Sequence, residues 1–257
     1  MSAPIMPGAD SWSFEGSSTT GLLAVHGFTG NPTSVRVLAD AAAAAGFHVE
    51  LPRLAGHGTV VDDMLPTTWA DWTADVEAAY RRLAQRVDRV VLAGLSMGGS
   101  LALWCALAHP EAAALVCINP ATVPQGDDVI EMVRELIADG TEVAPGVGSD
   151  IADPDAVETA YAGTPLRPLL SLQLDGLANM TDRYGALTMP LTLLTSRHDH
   201  VVSPADSEHL AATYGGPVEH VWLERSYHVA TQDYDRDIVV DRTLATLTTV
   251  TPETASQ

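Results

Sequence analysis

The stretch Arg89–Pro110, RVVLAGLSMGGSLALWCALAHP, changes its periodicity in mid-run. It opens as a β-rich apolar run, passes through three glycines crowded around Ser96, and continues as a helix-like segment that Pro110 ends. A strand feeding directly into a helix is half of a parallel α/β unit, and a residue at that turn lies at the C-terminal end of its strand. The small residues beside Ser96 allow a sharp turn and a close approach of helix to strand. The G-x-S-x-G pattern alone is equally compatible with an ordinary glycine turn. The remainder of the chain has to supply partners for the serine.

Working outward, the same alternation recurs. TGLLAVHG (Thr20–Gly27) is a buried strand, followed by a helix that Asn31 caps, Pro32 starts and Gly46 stops. FHVELP is the next strand, and RLAGHGTVVDDML a loop. Trp69, Trp72, Val76, Tyr80, Leu83 and Val87 then fall on one face of an amphipathic helix, with Thr68 and Asp71 in a capping pattern. AALVCINP reads as a strand. From Ala121 to Gly185 the rhythm breaks into helix candidates (DDVIEMVRELIADG and PLRPLLSLQLDGLANM) around a Gly/Pro/Asp-rich stretch, without strand-like runs. It then resumes with MPLTLLTS, PADSEHLAATYG, PVEHVWLE and a last helix from about Asp235 to Thr249. The tail TPETASQ reads as frayed. The expected fold class is α/β: one domain over residues 1–257, a mainly parallel sheet with helices on both faces, and a small helical lid inserted at 121–185.

Composition narrows the function. The chain has 257 residues, 46% of them hydrophobic, and a formal net charge of −20. All 13 basic residues are arginine. Such an acidic surface repels phosphate backbones and anionic lipid, so neither nucleic acid nor a stable membrane anchor is expected. No apolar run reaches ~18 residues, and the first residues lack the basic and apolar regions of a signal peptide, which predicts a cytoplasmic location. Cys105 and Cys117 lie in apolar contexts and read as core.

A serine needs a base to take its proton and an acid to orient that base. Of nine histidines, His48 and His220 fall within strands, His109 and His209 near helix ends, and His26 and His57 in loops they can brace. His228, in ERSYHVATQDYD between the last strand and the last helix, is the expected base. Asp199 lies in the loop directly after LTLLTS and is the expected acid, with Glu224 and Asp206 as fallbacks. The triplet His198-Asp199-His200 is no metal site, because adjacent side chains diverge. The oxyanion hole needs two backbone N–H groups. Met97, after the serine, supplies one, and Phe28 in HGFTGNP the other, its ring lining the acyl pocket.

With the order Ser96, Asp199, His228 in hand, the chain resembles the α/β-hydrolase family along nearly its whole length. It is most similar to small bacterial carboxylesterases and monoacylglycerol lipases. The stretches that carry this are HGFTGNPTSVR, LPRLAGHGT, TTWADW, GLSMGG, SRHDHVVSP and RSYHVATQDYD. The resemblance implies Ser96, Asp199 and His228 as the triad, Phe28 and Met97 as oxyanion donors, and no cofactor or metal. It also implies a lid glutamate that reads glycerol hydroxyls, for which DAVETAYAGTP offers Glu158. The function expected is hydrolysis of monoacylglycerols or other short- to medium-chain carboxylic esters through an acyl-enzyme. The alternatives are a general carboxylesterase without glycerol preference and a non-catalytic ligand-binding protein on the same fold.

Overall fold

The computed structural model describes residues 3–146 and 149–252. Its centre is a seven-stranded sheet in the order β1-β3-β2-β4-β5-β8-β9. β1 (Trp12–Phe14) pairs antiparallel with β3 (His48–Leu51). β2 (Thr20–Val25), β3, β4 (Arg89–Leu95), β5 (Ala114–Ile118), β8 (Leu191–Ser196) and β9 (Val218–Leu223) run parallel. β2, β3, β5 and β8 are buried at every residue, as strands covered on both faces must be.

Helices α1 (Arg36–Ala44) and α8 (Arg236–Val250) pack on each other and share one apolar layer, which includes Leu22, Ala24, Val91 and Val116. α3 (Trp69–Ala84) and α4 (Met97–Ala108) are in contact with each other and share the other layer, built on Leu23, Val25, Leu92 and Leu115. The expected caps are in place. Asn31 accepts the Thr33 N–H before a 3₁₀ turn at Pro32–Val35 that runs into α1. Thr68 and Asp71 form the capping box of α3. Trp69 and Trp72 are buried in the core. Both cysteines are buried and free, and burial raises their thiols above the ordinary range, Cys117 to about 12. Among the described residues, no helix is long and apolar enough to cross a membrane.

Four features depart from the sequence reading. β1 precedes the first expected strand, as a three-residue edge too short to show a period. The segment between β5 and β8 contains strands after all: β6 (Val143–Pro145) and β7 (Gly163–Pro165) form a separate antiparallel pair. These are three-residue pairings set by tertiary contact, not by alternation. The second helix candidate there is also not one helix. It is α6 (Leu166–Ser171), a π turn at Leu172–Gly176 and a 3₁₀ turn at Leu177–Asn179. A short helix, α2 (Val61–Met64), also interrupts the loop after β3, while α5 (Asp127–Ala138) and α7 (Pro204–Thr213) fall where helices were expected. The end of the tail, 253–257, lies outside the described residues.

Candidate active site

Ser96 is the junction of β4 and α4, and its backbone is held at φ 56°, ψ −123°. That conformation is strained for a residue with a Cβ and persists only where the surroundings enforce it. They do so through glycine. A Cβ on Gly94 would lie 2.1 Å from the Gly98 carbonyl group, and one on Gly98 2.1 Å from the Val25 carbonyl oxygen. With hydrogens in their place, α4 starts directly against β2 and β4 and points its N-terminus, and partial positive charge, at the turn.

His228 and Asp199 come from different strand ends and meet: His228 Nδ1 lies 2.7 Å from Asp199 Oδ2. The aspartate's other oxygen accepts the Val201 and Val202 N–H groups, both at 2.8 Å. A carboxylate on Nδ1 fixes the tautomer that leaves Nε2 free to accept a proton. The fallback acids are elsewhere. Asp206 Oδ2 accepts the Thr122 and Val123 N–H groups, and Glu224 pairs with Arg197 on the surface. His198 is exposed, and His200 turns to another partner, its Nδ1 2.8 Å from Asp150 Oδ1.

Among the described residues, neither the Phe28 nor the Met97 N–H is engaged in a hydrogen bond. Phe28 sits in the loop after β2, its ring edge-on to Trp72 (5.8 Å) and His57 (6.4 Å). The two loop histidines brace it. His26 Nδ1–H donates to the Gly27 carbonyl while Nε2 accepts the Leu54 N–H, and His57 Nδ1–H donates to the Ala55 carbonyl.

Burial pushes His57 down to about 4. Burial, and then the neighbouring His57, hold His26 well below its ordinary range. Both are therefore neutral in the fold but titrate near ~6.5 in the unfolded chain. Below that value the unfolded state binds more protons. The stability they confer is complete above about pH 6.5 and is lost as the pH falls toward about 4. For His57 the interval from 6.5 to about 4 amounts to on the order of 3 kcal/mol. Urea midpoints at pH 7 and pH 4.5 should fall steeply in the wild type and less steeply in His57→Gln. Equal slopes would contradict this role.

Several side chains that position the site carry no sequence signal of their own. Asn119, buried at the end of β5 with φ 44°, donates to the His228 carbonyl at 2.8 Å and to Ser196 Oγ at 3.0 Å, and accepts the Ser196 N–H at 2.7 Å. It ties the loop that carries His228 to two strands. Asp150, from the segment between β5 and β8, accepts the backbone N–H groups of His200 and His228, both at 3.1 Å. Asp233 accepts from Ala152 and Asp153 on one side and from Tyr227 and Tyr234 on the other. The only hint in the sequence was an aspartate-rich stretch and an asparagine between a strand and a proline.

Ser96, His228, Phe28 and Glu158 line one cavity of about 390 Å³. Glu158 is half-buried, with an oxygen beside Gly30 and the hydroxyl of buried Ser34. Burial raises its carboxyl above the usual glutamate range, against the opposing influence of His228 and Ser34. Val129, Leu169, Leu172 and Leu177 contribute apolar side chains to the same lining.

Comparison with known proteins follows the geometry. A family model described as serine aminopeptidase, S33, matches residues 17–235. A thermostable monoacylglycerol lipase from Bacillus sp. (strain H-257) is 39% identical over 244 residues, covering 94% of this chain and 95% of that protein. A carboxylesterase from Bacillus subtilis (strain 168) is 25% identical over 230 residues, 89% of this chain and 92% of that one. Among solved structures, one from a study of LipS and LipT, two metagenome-derived lipolytic enzymes, superposes with a TM-score of 0.90. It is 39% identical, and the match covers 96% of this chain and all of that one.

Proposed function

The chain belongs to the serine aminopeptidase S33 family of α/β-hydrolases, and on that premise we propose that it is a serine ester hydrolase acting on monoacylglycerols. The observation that carries the reading is the 2.7 Å His228–Asp199 contact beside a cavity that also holds the strained Ser96. Ser96 Oγ attacks the ester carbonyl as His228 Nε2 takes its proton, while Asp199 stabilises the imidazolium. The Phe28 and Met97 N–H groups receive the oxyanion. His228 then protonates the departing alcohol, and water enters by the reverse route to release the acid. None of these steps calls for a metal or cofactor. Residues 121–185 act as the lid over the cavity, and the cytoplasm is the location that fits this reading.

Glu158 accounts for the alcohol. Its carboxylate lies in the cavity wall near His228, where the leaving group must sit, and can accept hydrogen bonds from two glycerol hydroxyls. Glu158→Ala should lower kcat/KM for a 1-monoacylglycerol about tenfold or more, because losing a hydrogen bond to a charged group costs ~1.5–3 kcal/mol. Simple alkyl esters of equal acyl length should be affected by no more than about twofold. An equal loss on both substrates would leave the general carboxylesterase reading in its place.

A further inference from the structure

The lining of the cavity contains an amide whose N–H groups, among the described residues, have no acceptor and open on the cavity. Gln173 is buried to 6% exposure in the π turn Leu172–Gly176, and it lines the cavity between Leu172 and Leu177. Its Oε1 accepts the Gln125 N–H at 2.8 Å. A backbone N–H can only donate, so the oxygen must face Gln125 and the amide nitrogen must face away from it. Among the described residues, no acceptor takes either of its N–H groups, and the nitrogen is not sealed off from the cavity.

The placement is enforced. Gly176 lets the π turn press against Trp69, since a Cβ there would come within 2.9 Å of the indole. Ser171, just before the turn, accepts the Trp69 N–H at 3.0 Å and donates to Asp175 at 2.6 Å. π turns interrupt helices mostly at functional sites, and the free N–H groups of Gln173 are turned to the cavity, where a bound molecule can supply their acceptor.

From this we propose that Gln173 is a specificity determinant for the acyl chain: the cavity accepts esters of fatty acids that carry a neutral oxygen, an oxo or hydroxyl group, part-way along the chain. The inference rests on the esterase reading, which puts the alcohol next to His228. Glu158 has Ser34, Gly30 and His228 as neighbours, whereas Gln173 has Gln125 and the leucines, so the two polar groups serve opposite arms of the substrate. A negatively charged chain end is disfavoured, because Asp206 also lines the cavity and the protein carries a net charge of −20.

The test compares 4-nitrophenyl octanoate with its oxo-octanoate analogues, the oxo group moved from the fourth to the seventh carbon. One position should be preferred about three- to tenfold in kcat/KM, the worth of one net hydrogen bond. Gln173→Met should bring that ratio to one. Gln173→Glu, which keeps an acceptor for the Gln125 N–H but replaces the amide donors with a carboxylate, should bring it to one or below. Because each ratio is internal to one variant, partial loss of folded protein does not disturb it. A flat series in a wild type that cleaves octanoate overturns this inference alone, as does a preference that survives both substitutions. A wild type inert toward octanoate overturns the esterase reading and this inference together.

Discussion

Ser96→Ala should remove on the order of 10⁶-fold of ester turnover, leaving only what the oxyanion donors and binding provide. The size of the effect follows from the serine being the only atom source for the acyl-enzyme, and not an aid to some other nucleophile. Alanine retains the Cβ, so the turn at φ 56° is no more strained than before, and the fold should persist. Thermal denaturation should accordingly be close to wild type while fluorophosphonate labelling disappears. Turnover of 4-nitrophenyl esters by Ser96→Ala within a hundredfold of wild type would refute the assignment.

Asp199→Asn should lower kcat by about 10⁴ with a much smaller change in KM. The asparagine carbonyl can take over from Oδ1, which receives the Val201 and Val202 N–H groups, and so preserve the loop. That leaves the NH₂ facing His228 Nδ1 where Oδ2 was. A donor there forces the proton onto Nε2, and an Nε2–H imidazole cannot accept the serine proton. Pre-steady-state kinetics should place the loss in acylation. A fall of less than tenfold would mean that another group orients His228; Asp206 and Glu224 are both occupied elsewhere.

The parts of the site that were legible in the sequence share one property: each sits where a regular element stops. Ser96, Asp199 and His228 follow apolar runs in loops, so the parallel-sheet rule alone brings them to one edge. The parallel core was readable for the same reason, since strands buried on both faces are continuous apolar runs. What escaped the sequence depends on contacts distant along the chain. β6 and β7 pair over three residues, with nearly twenty between them. The π turn is set by Trp69 and Ser171, and a helical period does not disclose where one extra residue enters the spiral. Asn119 and Asp150 are single polar residues, and their roles come from the base loop they meet. Glu158 lies between these cases: similarity pointed to it, and the structure gives its neighbours.

The hydrogen bonds from Asp150 and Asp233 also bear on how the molecule can be recombined. Together they join residues 150–153 to the loop that carries His228, and Tyr161 N–H and the Asn31 side chain join 159–161 to the loop that carries Phe28. The middle of the segment between β5 and β8 is thus sewn into both halves of the candidate site. A replacement for 121–185 that follows another path at 152–153 would take from Asp233 two of its backbone N–H donors, and one without an acceptor at 150 would leave the His228 N–H unpaired. A functional chimera must carry the matching 226–235 loop with it, so that the unit of exchange is discontinuous in the chain.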